Sequence, residues 1–86
     1  MEVLYTPSFI RQLKTFSTDL QEEIFEKVEL FQNPKNHVTL KVHKLKGRLA
    51  GKYSFSVNYK TRIVFIYGGK KEAILLAVGT HEVYKK

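Results

Sequence analysis

The hydrophobic period of this chain changes once. Between Phe9 and Phe31 apolar residues recur at helical spacing, and from Tyr53 to Val78 they alternate or run continuously, as strands do. Thr6-Pro7 reads as an N-cap followed by proline at the first helical position. Phe9, Ile10, Leu13 and Phe16 then share one face, so a first helix is expected to run to about Phe16-Ser17. Thr18 with Gln21 reads as a capping box opening a second helix. Its stripe is Leu20, Ile24, Val28 and Phe31, flanked by Phe25, and Asn33-Pro34 stops it. Helices joined this tightly form an antiparallel hairpin with both stripes facing one surface.

That surface is expected to be a sheet. Residues 2–6 read as a short first strand. Residues 35–51 are either a short strand, because Val38, Leu40 and Val42 alternate, or an extended basic loop broken by Gly47 and Gly51. In residues 52–58, Tyr53, Phe55 and Val57 alternate with Ser54, Ser56 and Asn58, which gives one apolar and one polar face. Residues 62–67, nearly all apolar, read as a central strand. Gly68-Gly69 turns the chain, and residues 73–78 form another buried strand. The expected fold is α+β: a strand, a two-helix hairpin, then a three- to four-stranded antiparallel meander, with the helices on one face of the sheet. At 86 residues, positions 1–86 are expected to form a single domain. The face away from the helices should carry Ser54, Ser56, Arg62 and the basic loop.

Charge is distributed very unevenly. The net charge is +7, yet residues 1–29 hold six acids against three cations, while residues 30–71 hold ten Lys or Arg and no acid. A block of this kind fits a polyanionic partner. The chain has no cysteine, which suits a reducing compartment. No signal peptide and no membrane span are expected, so the expected location is cytoplasmic.

Several chemistries lack their residues. GRLAGK at 47–52 misses the phosphate-loop pattern in spacing and in its last residue. The basic region has no paired carboxylates for two-metal catalysis, and His37, His43 and His81 lack metal-ligand spacing, so neither a metal nor a cofactor is expected. The second helix carries acids rather than a basic recognition face. What remains is His43, Arg62, His81 and Tyr84 amid Lys44, Lys46, Arg48, Lys52 and Lys60. This set suits metal-independent RNA cleavage. A 2′-hydroxyl attacks its own phosphate after losing a proton, a second group protonates the departing 5′-oxygen, and cations hold the added negative charge. Histidine can perform either transfer near neutral pH, Arg or Lys supplies the electrostatic term, and tyrosine stacks on a base or bonds a phosphate.

The segments HKLKG, TRIVFIY and ILLAVGTHEVY, in this order and spacing, resemble the RelE/ParE superfamily of bacterial toxins from type II toxin–antitoxin modules. The resemblance covers the chain from the first strand to Tyr84. It implies a bacterial or archaeal ribosome-dependent mRNA endonuclease that works in the decoding site, with a cognate antitoxin as its protein partner. Arg62 matches the arginine that contacts the scissile phosphate. His81 stands where RelE-type members carry Arg and YafQ- or YoeB-type members carry His. Tyr84 matches a terminal aromatic that stacks or orients, and His43 matches a histidine of the YafQ-like HxLxG segment. This chain departs from the pattern at Ser54 and Ser56, where RelE-like members carry two lysines and YafQ-like members a histidine, which shifts the general-base role toward His43. A ParE-like inhibitor of DNA gyrase is the alternative within the superfamily. A basic module that binds RNA or an antitoxin without chemistry is the third reading.

Overall fold

The structure, a computed structural model, describes residues 1–80. Strand β1 (Glu2–Tyr5) leads into helix α1 (Pro7–Leu13) and helix α2 (Thr18–Phe31). Two short 3-10 turns, Pro34–Asn36 and Gly47–Leu49, flank strand β2 (His43–Lys44). Strands β3 (Tyr53–Ser56), β4 (Arg62–Tyr67) and β5 (Glu72–Gly79) follow. The sheet order is β1-β5-β4-β3-β2. Strands β2 to β5 form the expected antiparallel meander, and β1 adds to its outer edge parallel to β5.

The helices cover one face. Phe9, Leu13, Ile24, Val28 and Phe31 meet Phe55, Val57, Ile63, Phe65, Leu75 and Val78 in the core. Phe31 is its hub: its ring stacks on Phe55 with centroids 4.3 Å apart and meets Phe65 edge-on at 4.8 Å. Such pairs add specific geometry to plain burial. His37 stacks on the other side of Phe31 and bonds the Phe31 carbonyl through Nε2, which makes it a structural histidine.

Local chemistry sets the helix ends. Thr6 Oγ1 accepts from Phe9 N, as expected of an N-cap, and also donates to the Leu75 carbonyl at 2.9 Å. One hydroxyl therefore fixes α1 to β5. Helix α1 ends at Leu13, earlier than its apolar stripe suggests, because the Thr15 and Phe16 amides bond back only three residues, to Gln12 and Leu13. The cap of α2 is Ser17, not Thr18: Ser17 Oγ accepts from Leu20 N. Gln21 then lies one residue too far for a capping box and donates to the Phe16 carbonyl instead.

Residues 38–42 are not a strand. Leu40 N bonds the Asn36 carbonyl and Val42 N bonds the His37 carbonyl, so the segment coils, with Lys41 at a φ of 59°. Leu40 turns into the core while Val38 stands 89% exposed. Local hydrogen bonds prevail over the alternating pattern there, and pairing with β3 is left to His43 and Lys44 alone. The β2–β3 loop closes through Gly47 and Gly51, at φ values of 69° and 89°. A Cβ at either would meet nothing within 4 Å, so backbone conformation, rather than space, calls for glycine.

Candidate functional site

The pleat sorts the cationic residues onto two faces. Ser56 pairs with Arg62, and Arg62 with Gly79; His43 pairs with Ser54, Ser54 with Val64, and Val64 with Ala77. These rows lie on the face away from the helices, and Lys52 follows the same parity. Lys44 pairs with Tyr53, whose ring stacks on Phe65 of the core, so Lys44 takes the helix-side face. Lys46 and Arg48 are exposed on the β2–β3 loop.

A one-residue irregularity in the β4–β5 register shapes this open face. Val64 pairs with Ala77 but Phe65 pairs with Leu75, so Leu76 is extra. The insertion resets the parity of β5, placing Leu75 before it and Val78 after it in the core. Beyond β1 the edge of β5 needs other partners. Gln12 supplies one: its Oε1 accepts from Val78 N at 2.9 Å. The result is a groove of about 390 Å³, bounded by Ser8 and Gln12 on α1 and by Leu49 and Lys52 on the loop, with Val64 and Ala77 as its floor. It runs to Gly79 and Thr80. A second hollow of about 390 Å³ begins at Thr80 and is lined by Tyr59, Lys60 and Arg62.

The floor is less polar than the alternation of β3 suggests. Ser54 is fully buried and Ser56 half-buried, while Leu49 and Val64 form a small apolar patch of their own. The 3-10 turn at Gly47–Leu49 is closed locally by Lys52 N to the Leu49 carbonyl, and Leu49 itself is buried. No described buried side-chain polar atom lacks a hydrogen-bond partner.

Arg62 opens β4 at the end of the β3–β4 turn. Its Nη1 donates to the Asn58 carbonyl at 2.5 Å and to the Thr61 carbonyl at 3.3 Å. Among the described residues nothing bonds its Nη2 or Nε, which remain available to a bidentate anion. Asn58 builds the turn. Its Oδ1 accepts from Lys60 N and Thr61 N, and its Nδ2 donates to Glu23 on α2 at 2.7 Å. The alternation in residues 52–58 places Asn58 on the polar face of a strand, whereas β3 ends at Ser56. The signal of Asn58 was the Asx turn, an asparagine bonding the backbone two residues on.

His43 stands on an edge strand with its ring exposed, and its Nδ1 lies 2.8 Å from the Lys41 carbonyl. A carbonyl only accepts, so Nδ1 carries the hydrogen and the neutral ring presents Nε2 as its lone-pair nitrogen. His43 is two strands and two residues along from Arg62, roughly 12 Å between Cα atoms by sheet spacings. The two therefore lie on one face without touching. His81 and Tyr84 lie outside the described residues. Arg62, Lys60 and Thr80 are brought together, with Lys52 farther along the groove.

No family model matches the chain, and no curated protein matches it. Solved structures do. The YoeB–YefM complex from Staphylococcus aureus aligns with a TM-score of 0.74 over 94% of this chain and 97% of that one, at 20% identity. The RelBE2 toxin–antitoxin complex from Mycobacterium tuberculosis aligns at 0.72 over 93% and 96%, at 17% identity. YafQ from Escherichia coli aligns at 0.71 over 99% and 98%, at 12% identity. The fold is thus that of the RelE/ParE-like toxins, two helices on a five-stranded sheet, in agreement with the resemblance drawn from the sequence.

Proposed function

We propose that this protein is the toxin of a type II toxin–antitoxin module and acts as a ribosome-dependent mRNA endonuclease. The observation that carries the reading is Arg62, which lines the hollow beside Thr80 and whose Nη2 and Nε meet no partner among the described residues. A cation preorganised in this way stabilises charge that develops at a phosphate. Lys52 and Lys60, at either end of the trough, would hold flanking phosphates. The likeness to toxins solved with their antitoxins supports a cognate antitoxin partner. No described helix is long and apolar enough to cross a membrane.

The proposed chemistry is transesterification at the RNA backbone. A 2′-hydroxyl loses its proton, its oxygen attacks the adjacent phosphorus, and the bond to the 5′-oxygen breaks. The products are a 2′,3′-cyclic phosphate and a 5′-hydroxyl, so water is not the nucleophile of the bond-making step. His43, with Nε2 as its basic nitrogen, is assigned the proton abstraction. His81, which follows Thr80 in the sequence, is assigned protonation of the leaving oxygen. Tyr84 is assigned the orienting role, and Lys44, Lys46 and Arg48 contribute long-range attraction to the polyanion.

Incubation of the purified protein with a defined mRNA, with and without translating ribosomes, tests this when 5′ ends are mapped by primer extension. Cuts inside codons that need ribosomes are expected. Intact mRNA in both reactions overturns the reading. The burial of Ser54 then favours the gyrase-inhibitor alternative, because that position cannot present a catalytic side chain to RNA; induction of DNA damage would identify it.

A further inference from the structure

Tyr59 is the most exposed large apolar side chain among the described residues, at 91%. Tyr5, Tyr53 and Tyr67 each contact another aromatic ring, with Phe9, Phe65 and each other as partners; among the described residues Tyr59 makes no such contact. Folding does not explain a bare aromatic ring in water, since leaving it exposed forgoes the gain of burial. The turn that carries it is nevertheless braced. The bracing comes from Asn58, from Val57 N to the Thr61 carbonyl, and from Arg62 Nη1 to the Asn58 carbonyl. The backbone that presents it therefore loses little freedom when a ligand binds.

Its surroundings name the ligand class. The hollow beside it is lined by Lys60, Arg62 and Thr80 and measures about 390 Å³, within the usual range of roughly 300–1,000 Å³ for small-ligand sites. An aromatic face next to two cations matches a nucleobase joined to a phosphate. The acid in this network, Glu23, is engaged by Asn58 Nδ2 on the helix side. We propose that Tyr59 stacks on a base of single-stranded RNA whose phosphate rests on Lys60 and Arg62. This makes Tyr59 a substrate-positioning residue and a determinant of base preference beside the cut. The inference rests on the RNA-cleaving reading above.

The chain has no tryptophan, so Tyr59→Trp introduces a single reporter at the site. Titration of this variant with a 2′-O-methyl oligonucleotide, which lacks the attacking hydroxyl, should quench its fluorescence saturably. Anisotropy of the same oligonucleotide, end-labelled, should show Tyr59→Ala binding at least about fivefold more weakly than the parent, with Tyr59→Phe within about twofold. Circular dichroism verifies that each variant is folded. Equal binding by parent and Tyr59→Ala, no quenching, or no binding even at low salt overturns the proposal. So does Tyr59→Ala weakening a co-expressed antitoxin while leaving RNA binding untouched, which would assign the ring to a protein partner. The two readings fail separately. Intact mRNA on ribosomes with quenching retained overturns cleavage alone. Codon cutting unchanged by Tyr59→Ala, without quenching, overturns stacking alone.

Discussion

Arg62 and Asn58 are bound to each other across the β3–β4 turn, the guanidinium donating through Nη1 to the main-chain carbonyl at 2.5 Å. The bond uses one end of a planar fork, and the residue lines the hollow beside Thr80. Arginine can hold a carbonyl and a phosphate at once because its donors point along fixed, separate directions, whereas lysine offers one compact charge.

Arg62→Ala is therefore expected to lower codon cleavage by roughly 10²–10³-fold while leaving the circular dichroism spectrum unchanged. Arg62→Lys should recover only part of this, because a lysine reaching the phosphate must release the Asn58 carbonyl. Primer extension on ribosome-bound mRNA measures both. Parent-level cleavage by Arg62→Ala would remove Arg62 from the site.

Asn58 ties the β3–β4 turn to α2: Oδ1 gathers the Lys60 and Thr61 amides, and Nδ2 reaches Glu23 on α2. Asn58→Ala should cost about 1 kcal/mol or more, since half-buried hydrogen bonds are lost together. For a domain of this size that lowers Tm by roughly 4–8 °C per kcal/mol. Glu23→Ala removes only the link to the helix and should cost less. If Asn58→Ala melts with the parent and cleaves equally well, the turn does not position Arg62.

The two helices and β3 to β5 were legible in the sequence because each carries its own signal: Thr6-Pro7, Asn33-Pro34, the Ile24/Val28/Phe31 stripe and the Gly68-Gly69 turn. What was not legible depends on partners distant in sequence. The parallel docking of β1 pairs Glu2 with Glu72 and Tyr5 with Leu75, and no local pattern specifies that register. Ser54 sits where alternation promises solvent, yet it is fully buried, and no local pattern around it announces that. Asn58 reads as a polar-face strand residue until Glu23, 35 positions earlier, is placed beside it. The open face that carries Arg62 followed from strand parity; the walls that make it a groove, Gln12 and Leu49, did not.

Gln12 tests the edge of β5. Its Oε1 is the acceptor for Val78 N beyond the end of β1. Gln12→Leu keeps bulk but removes the acceptor, so stability should fall by roughly 1–3 kcal/mol, as expected for an amide left unpaired. Gln12→Glu retains an acceptor and should lose less. Urea denaturation reads both, and an unchanged midpoint for Gln12→Leu would show that water replaces the bond at no cost.

Alkaline pH probes the opposite side of the molecule. Burial pushes the Tyr67 hydroxyl above its ordinary value, with Tyr53 adding repulsion between phenolates, and burial alone raises Tyr5. A phenol whose pKa is higher folded than unfolded binds more protons in the native state. Stability contributed by these groups is thus fully present below about pH 10, the unfolded value, and is lost as pH rises through the folded pKa. Tyr67→Phe cannot ionise and should lose stability less steeply than the parent over that window, with the Tyr5→Phe/Tyr67→Phe double variant flatter still. Denaturation midpoints collected between about pH 8 and about pH 11 provide the comparison. Because Lys deprotonation contributes equally to all three proteins, parallel curves would mean that neither phenol feels its burial.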